Sequence, residues 1–360
     1  MTADSDLARA TTLPASWYHD RAIYERERYA IFATEWQLAG FRAQLRAPGD
    51  YVAHEFAGWR VFVIVADDST LRGFHNVCRH RAGPLVMDDG GHCPNLVCRY
   101  HGWAYDLDGA LVQARGFGDA ADFDRGDFGL LPVRVDEWRG LVFVNLDSNA
   151  AHLHDAYATL VAECADLPIE TLHYSHRIVH EIAANWKTYT DNYGEGYHIP
   201  LVHPELNREV NARQYRVDVR DHSCVHSAPT RDGAINAGRW IWRYPNLALN
   251  VYPDGMNVER FVPVGPTRVQ VIYDYFFADL SPRAASANAE IVRIGCEVLD
   301  EDRVICEAVQ RNLESGAYDV GRLSPRHENG LHAFQTWVRE SFAAYESSAG
   351  SSSSASELMQ

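Results

Sequence analysis

The chain has 360 residues, 46% hydrophobic and 23% charged, which is enough for two domains with a sizeable core. Its formal net charge of −16 argues against a nucleic-acid partner, because phosphate recognition runs on clustered Lys and Arg. No apolar run is long enough to predict a transmembrane helix, and the N-terminus lacks the basic and apolar regions of a secretory leader. Seven cysteines, an odd number scattered along the chain, do not make a disulfide framework, so a reducing, cytoplasmic setting is expected.

In chain order, residues 20–36 ("DRAIYERERYAIFATEW") place apolar side chains at helical spacing among charged ones and predict an amphipathic helix. From about 36 to 149, short runs such as "WRVFVIVAD", "LRGFHNV", "YDLDGALV" and "RGLVFVNLD" alternate with Gly/Asp/Pro turns and predict a small antiparallel β domain. Helical patterning returns near 151–166 and 184–198. A β-rich block follows at 212–278, then helices near 283–315 and 328–345. The Ser-rich end, 346–360, is expected to be disordered.

Two loops of the β domain carry unusual pairs, Cys78-x-His80 and Cys98-x-x-His101. A common zinc finger groups its cysteines first and its histidines second. Here each loop offers one thiolate and one imidazole, so two facing loops present two of each. That is the donor set of a Rieske [2Fe–2S] centre, with two Cys on one iron and two His on the other. A structural zinc site is the rival on spacing alone. The 17 residues between His80 and Cys98 leave room for a β hairpin. Gly102 is expected to allow a close backbone approach, Trp103 to shield the site from water, and Cys93 to be a packed thiol. The loops resemble the Rieske pattern C-x-H-R and C-x-x-H-G-W, with Arg99 where proline is common.

A cluster that moves one electron does not need some 200 further residues, so a second site is expected downstream. "ANWKTYTDNYGEGYHIPLVHPEL", 184–206, places His198 and His203 five apart. On a straight helix five residues turn about 500°, leaving the rings about 140° apart. Pro200 resolves this by bending the segment, so that His198 closes the helix and His203 comes round after the bend. Glu195, three before His198, is placed to orient its imidazole. A third, oxygen donor completes a non-haem Fe(II) site. In 294–313, Val298, Ile305, Val309 and Leu313 read as one apolar stripe with Asp302 in its middle, while Asp300 points away and Glu301 to the flank. A core-facing carboxylate needs a partner or a metal, which selects Asp302.

With these motifs in place, the chain from about 13 to 340 resembles the catalytic α subunits of the Rieske non-haem iron oxygenases. The resemblance rests on "NWK…DN…E-x-Y-H-x-x-x-x-H" at 185–203 and on "DED…CE-x-V-Q" at 300–310. It implies an α+β chain. An antiparallel-β Rieske domain (37–150) precedes a helix-grip, Bet v 1/START-like catalytic domain (151–345), in which an antiparallel sheet surrounds a long helix. The N-terminal helical segment (1–36) is expected to pack with the catalytic domain. The implied cofactors are a [2Fe–2S] cluster on Cys78, His80, Cys98 and His101, and a mononuclear Fe(II) on His198, His203 and Asp302. The implied partners are O2, a small-molecule substrate and a separate NAD(P)H-dependent reductase, with or without a ferredoxin. A homotrimer is also implied, in which Glu195 bridges His198 to His101 of a neighbouring copy.

Two decoys are set aside. "HENGLH" at 327–332 has its histidines five apart rather than the four of a zinc protease, and a buried or capping role is expected. "RGFGDA" at 115–120 lacks the third Gly of a dinucleotide loop, so no NADH site is expected. The aromatic strands, with Trp240, Trp242 and Tyr244 alternating on one face, are expected to be mostly core. A few of their rings are expected to form a box for a quaternary ammonium. "YPNLALNVYPDGMNVERFVPVGPTR" is similar to the branch of choline monooxygenase, glycine-betaine monooxygenase and stachydrine demethylase. Hydroxylation of an aromatic or other neutral ring is the alternative.

Overall fold

Dense β-branched and aromatic runs broken by turns make sheets of residues 37–145 and of much of 173–277. The computed structural model describes residues 7–230 and 238–351, side chains of 349–351 excepted. Two compact units result, Phe32–Tyr157 and the combination of Met1–Ile31 with Ala158–Gln360.

In the unit of Phe32–Tyr157 the strands are β1 (Gln37–Phe41), β2 (Asp50–Phe56), β3 (Trp59–Val65), β4 (Leu71–His75), β5 (Gly90–His92), β6 (Leu96–Val97), β7 (Ala104–Tyr105), β8 (Leu111–Gln113), β9 (Pro132–Trp138) and β10 (Leu141–Asn145). A seven-stranded antiparallel sheet runs β1-β10-β9-β4-β3-β2-β5, and β6-β7-β8 form a small second sheet. The insert between His80 and Cys98 forms no hairpin. Its β5 adds to the edge of the large sheet beside β2, and β6 pairs with β7 instead. The core joins both sheets through Phe62, Phe74, Leu96, Trp103 and Tyr105.

In the other unit, β11 (His173–Ile182), β12 (Arg216–Arg220), β13 (Ser223–Ser227), β14 (Arg239–Arg243), β15 (Leu247–Tyr252), β16 (Gly255–Gly265) and β17 (Arg268–Phe277) form one antiparallel sheet. Its order is β11-β17-β16-β15-β14-β13-β12. The helices that shape it are α1 (Arg21–Glu27), α2 (Trp186–Tyr193), α3 (Ile199–Val202), the long α4 (Ala285–Glu314) and α5 (Asn329–Ser351). The fold is thus α+β, a sheet gripping a long helix.

The motif "NWK" builds the joint between these helices. Asn185 caps α2, its side chain accepting from the Lys187 backbone N–H at 2.8 Å. Lys187 pairs with Glu27 at the end of α1, both fully buried, and Trp186 Nε1 donates to the same carboxylate at 2.9 Å. Gln310 of α4 accepts from the Asn185 N–H at 2.9 Å and the Thr188 hydroxyl at 3.0 Å. Trp242 of β14 and Tyr244 just after that strand pack against Phe334 of α5.

Several boundaries differ from expectation. The first helix is α-helical only to Glu27 and ends in a π-type turn at Arg28–Phe32. The segment 151–166 is two short helices, Leu153–Ala156 and Ala158–Glu163. Helix α5 continues to Ser351, with Ser347 Oγ bonded to the Ala343 carbonyl at 2.8 Å, so serine enters the helix by satisfying its hydroxyl on the preceding turn. The expected disorder of 352–360 lies outside the described residues. No helix among the described residues is long and apolar enough to cross a membrane.

Candidate metal centres

The two Cys/His loops have the same backbone. The Cys78 N–H donates to the Gly83 carbonyl at 2.8 Å, and the Ala82 N–H returns to the Cys78 carbonyl at 3.0 Å. Likewise the Cys98 N–H donates to the Trp103 carbonyl at 2.9 Å, and the Gly102 N–H to the Cys98 carbonyl at 2.9 Å. Each turn puts a left-handed residue four after its cysteine, Ala82 at φ 54° and Gly102 at φ 74°. Gly102 therefore serves the turn, and not the close approach expected of it. That approach belongs to Gly83, where an added Cβ would lie 2.7 Å from the Cys98 sulfur.

Both thiols are buried, and the His80 and His101 ring centroids are 4.6 Å apart. Trp103 is buried and stacks on His80 at 4.9 Å. The His80 Nδ1 is buried with no hydrogen-bond partner, the state of an atom whose lone pair is kept for a metal. Tyr105, which sequence reasoning missed, accepts the Arg79 N–H at 3.1 Å, leaving its own proton for the Cys78 sulfur at 3.3 Å. Cys93 is half-buried against the same core.

The second centre does not form by bending one helix. Helix α2 stops at Tyr193, five residues before the first histidine expected to close it, and His198 and His203 are the caps of the separate one-turn helix α3. Pro200 sits inside its first turn, where a missing N–H costs nothing. The turn brings the two Nε2 atoms to 3.1 Å. Asp302 Oδ1 lies 3.0 Å from His203 Nε2 and 3.6 Å from His198 Nε2. These three residues form a group whose donor atoms lie within 4.8 Å of one another.

Tautomers decide what the group is for. His198 Nδ1 lies 2.6 Å from Glu195 Oε1, and His203 Nδ1 lies 2.7 Å from Glu301 Oε2. Each Nδ1–H is thus given to a carboxylate, and each Nε2 presents a lone pair inward. Asp302 Oδ1 is buried beside them and accepts no hydrogen bond. Three acceptors facing one point call for a cation. Donors at right angles with bonds of ~2.1 Å sit about 3 Å apart, the spacing of a two-His, one-carboxylate face. The residues fit iron.

Asp302 arises from a different face of α4 than expected. The buried residues are Ile294, Leu299, Asp302, Cys306, Gln310 and Leu313, whereas Ile305 and Val309 are 39% and 41% exposed. Asp302 belongs to both stripes. Glu301, assigned to the flank, is the carboxylate that orients His203.

A cavity of about 130 Å³ opens on this centre, lined by Tyr189, Tyr193, Trp240, Tyr252 and Tyr273 besides the three donors. Glu259, 2% exposed, stands in its wall and accepts from the Tyr189 hydroxyl at 2.9 Å and from Asn250 Nδ2 at 3.0 Å. Burial pushes its carboxyl up to about 7, against the pull of those two hydrogen bonds. The decoy segment does other work: His327 stacks on Tyr197 at 4.5 Å, and Glu328 accepts the Ser324 N–H ahead of α5.

The model of the Rieske [2Fe–2S] domain matches residues 35–124, and that of the ring-hydroxylating α-subunit catalytic domain matches 169–234 and 220–344. Chloroplastic choline monooxygenase of Beta vulgaris is 30% identical over 344 residues, 92% of this chain and 77% of its own length. The chain belongs to the Rieske oxygenase α-subunit family. The carnitine monooxygenase oxygenase subunit of Escherichia coli K12 is also 30% identical, over 92% of this α subunit and 94% of its own length. Among solved structures, the quaternary ammonium Rieske monooxygenase CntA superposes with a TM-score of 0.85 at 29% identity, covering 94% of this chain and 97% of that one. Naphthalene 1,2-dioxygenase from Rhodococcus sp., at 18% identity over 92% and 94% of the two chains and a TM-score of 0.76, shares the fold. This α subunit is therefore an oxidoreductase of the oxygenase class, with a Rieske [2Fe–2S] cluster and a mononuclear iron as its cofactors.

Proposed function

We propose that this α subunit is the terminal oxygenase of a multicomponent system that hydroxylates or N-demethylates a small quaternary ammonium compound. The observation that carries this reading is the aromatic cavity over the His198, His203 and Asp302 donors, with Glu259 in its wall. Aromatic faces and a buried carboxylate attract an onium ion, whereas a neutral ring would gain nothing from the charge. The relatives named for choline and carnitine oxidation support the same class.

In this reading Cys78 and Cys98 hold one iron of the cluster and His80 and His101 the other, while His198, His203 and Asp302 hold the mononuclear iron. When bound, the cluster carries single electrons and the mononuclear iron activates O2. The chain's own residues prepare that chemistry. Glu195 and Glu301 hold both iron-side imidazoles in the Nδ1–H tautomer. The Tyr105 hydroxyl donates to the Cys78 sulfur, a hydrogen bond that would favour the reduced form of a cluster held there. The aromatic walls hold the substrate and exclude water.

Electrons come from a separate NAD(P)H-dependent reductase and reach the iron between subunits of a homotrimer through Glu195. Support comes from the uncovered side chains at each rim: Tyr100 beside His101 is 57% exposed, and Leu201 between the two iron-side histidines is 89% exposed. Glu195 also has acceptor capacity left after His198 and two backbone N–H groups.

The test is turnover with a surrogate reductase, following product mass across onium and neutral-ring substrates. Oxidation of a quaternary ammonium, with loss of mononuclear iron and turnover but not of the cluster signal in His203→Ala, is expected. Oxidation confined to neutral rings would overturn the substrate class.

A further inference from the structure

The cavity that receives the substrate carries an imbalance of charge. Its described walls contain three carboxylates, Glu195, Asp302 and Glu259, and no Lys or Arg among the described residues. Glu195 is committed to His198 and Asp302 to the donor group, which leaves Glu259 as the spare negative charge. Its hydrogen bonds come from neutral groups, the Tyr189 hydroxyl and Asn250 Nδ2. No salt bridge to Glu259 occurs among the described residues, in contrast to the buried carboxylates Glu27 and Asp274, which are paired with Lys187 and with Arg177 and Arg260. A buried charge without a counterion is costly, and here the group that can supply one is the ligand.

A second feature is independent of charge. Asn257, two residues before Glu259 on β16 and so on the same face of the sheet, also lines the cavity. It is 3% exposed, and its Oδ1 is buried with no hydrogen-bond partner. An orphaned acceptor in a ligand cavity calls for a donor on the ligand. An alcohol or amide N–H answers it; a carboxylate, which only accepts, does not. A carboxylate tail would further set like charge against Glu259, the carboxylate left uncommitted in the wall.

Resting on the quaternary ammonium reading above, we infer that this cavity selects onium compounds with an uncharged hydrogen-bond-donating tail and rejects betaine-type zwitterions. Glu259 faces the cationic centre, and the Asn257 Oδ1 takes the donor on the tail. Glu259 is a specificity-determining residue in this assignment.

The experiment measures dissociation constants by calorimetry on the anaerobic, iron-loaded holoenzyme for choline, its neutral carbon isostere 3,3-dimethylbutan-1-ol, glycine betaine and L-carnitine. Choline is expected to bind about tenfold or more tightly than each of the other three. In Glu259→Gln its advantage over the neutral isostere is expected to collapse, with iron and cluster content unchanged. Betaine or carnitine binding as tightly as choline, with all three ahead of the isostere, would overturn the inference and leave the quaternary ammonium reading standing. Equal binding of choline and its isostere would overturn that reading itself. Should Glu259→Gln fail to fold, the wild-type series still decides, because the ranking of choline against the zwitterions does not need the variant.

Discussion

At the scale of single residues, the two Cys/His loops are one turn built twice, and their small residues have separate duties. Ala82 occupies a left-handed position that Gly102 fills in the other loop. An L-residue there costs about 1–2 kcal/mol, partly offset by the chain entropy that a glycine would lose. Ala82→Gly should therefore raise stability by about 0.5–1 kcal/mol in denaturant titrations. Gly83→Ala should do the opposite, because its Cβ would lie 2.7 Å from the Cys98 sulfur. Overpacking of that kind costs about 1–3 kcal/mol, and acid-labile sulfide per chain should fall with it. Normal sulfide content in Gly83→Ala would show that the contact relaxes without harm. Glu301 offers a third case. It holds the His203 Nδ1–H at 2.7 Å, so Glu301→Ala should weaken mononuclear iron about 10–100-fold and leave the cluster's spectrum intact. The neighbouring surface change Glu297→Ala, on a residue paired only with Arg293 among the described contacts, should not alter iron content.

At the scale of elements, what matters is how α1, α2 and α4 are held, since α3 and Asp302 depend on their placement. The Glu27–Lys187 pair lies between α1 and α2 with both side chains fully buried. Burial pushes the Glu27 carboxyl up and the Lys187 amine down, each toward its neutral form, while the partner charge pulls each back. Removing one partner strands the other, so Lys187→Met should destabilise the catalytic unit by about 3–5 kcal/mol. Adding Glu27→Gln, which keeps an acceptor for the Trp186 indole, should restore most of the loss in thermal melts. If the double variant is no better than Lys187→Met, packing of the lysine stem, and not the stranded charge, sets the cost. The same region shows why helix patterning misled. Val298, Ile305 and Val309 look like a core stripe in isolation, yet the face of α4 that is buried carries Cys306 and Gln310. Gln310 is interior because Asn185 and Thr188 offer it partners, and those partners are 125 and 122 residues away.

At the scale of the whole molecule, the proposed route of electrons between copies has a direct test. Glu195→Ala, loaded with excess iron to offset its weaker hold on His198, should keep its cluster but pass electrons slowly, and Cys98→Ala should lack the cluster. Mixed under conditions of subunit exchange, the two should regain part of the activity, because one mixed neighbour pair faces an intact cluster with an intact Glu195. No recovery in trimers shown to be mixed would count against the route.

The sequence by itself determined the candidate donor atoms. A thiolate, an imidazole or a carboxylate cannot be replaced by another type without losing the metal, so Cys78, His80, Cys98, His101, His198, His203 and Asp302 stand out by residue type and spacing. It also carried the strand and helix texture, because burial of one face imposes a period on the residues that form it. Only the tertiary structure decided what meets what. The turn that brings His198 to His203 lies in a separate helix, and Glu301 reaches His203 from 98 positions away. Glu259, Asn257 and the rings around them read as ordinary strand residues until α2, α3 and α4 close the cavity in front of them. Alternation along a strand tells which side chains share a face, whereas the groups standing opposite come from distant parts of the chain and are set by packing.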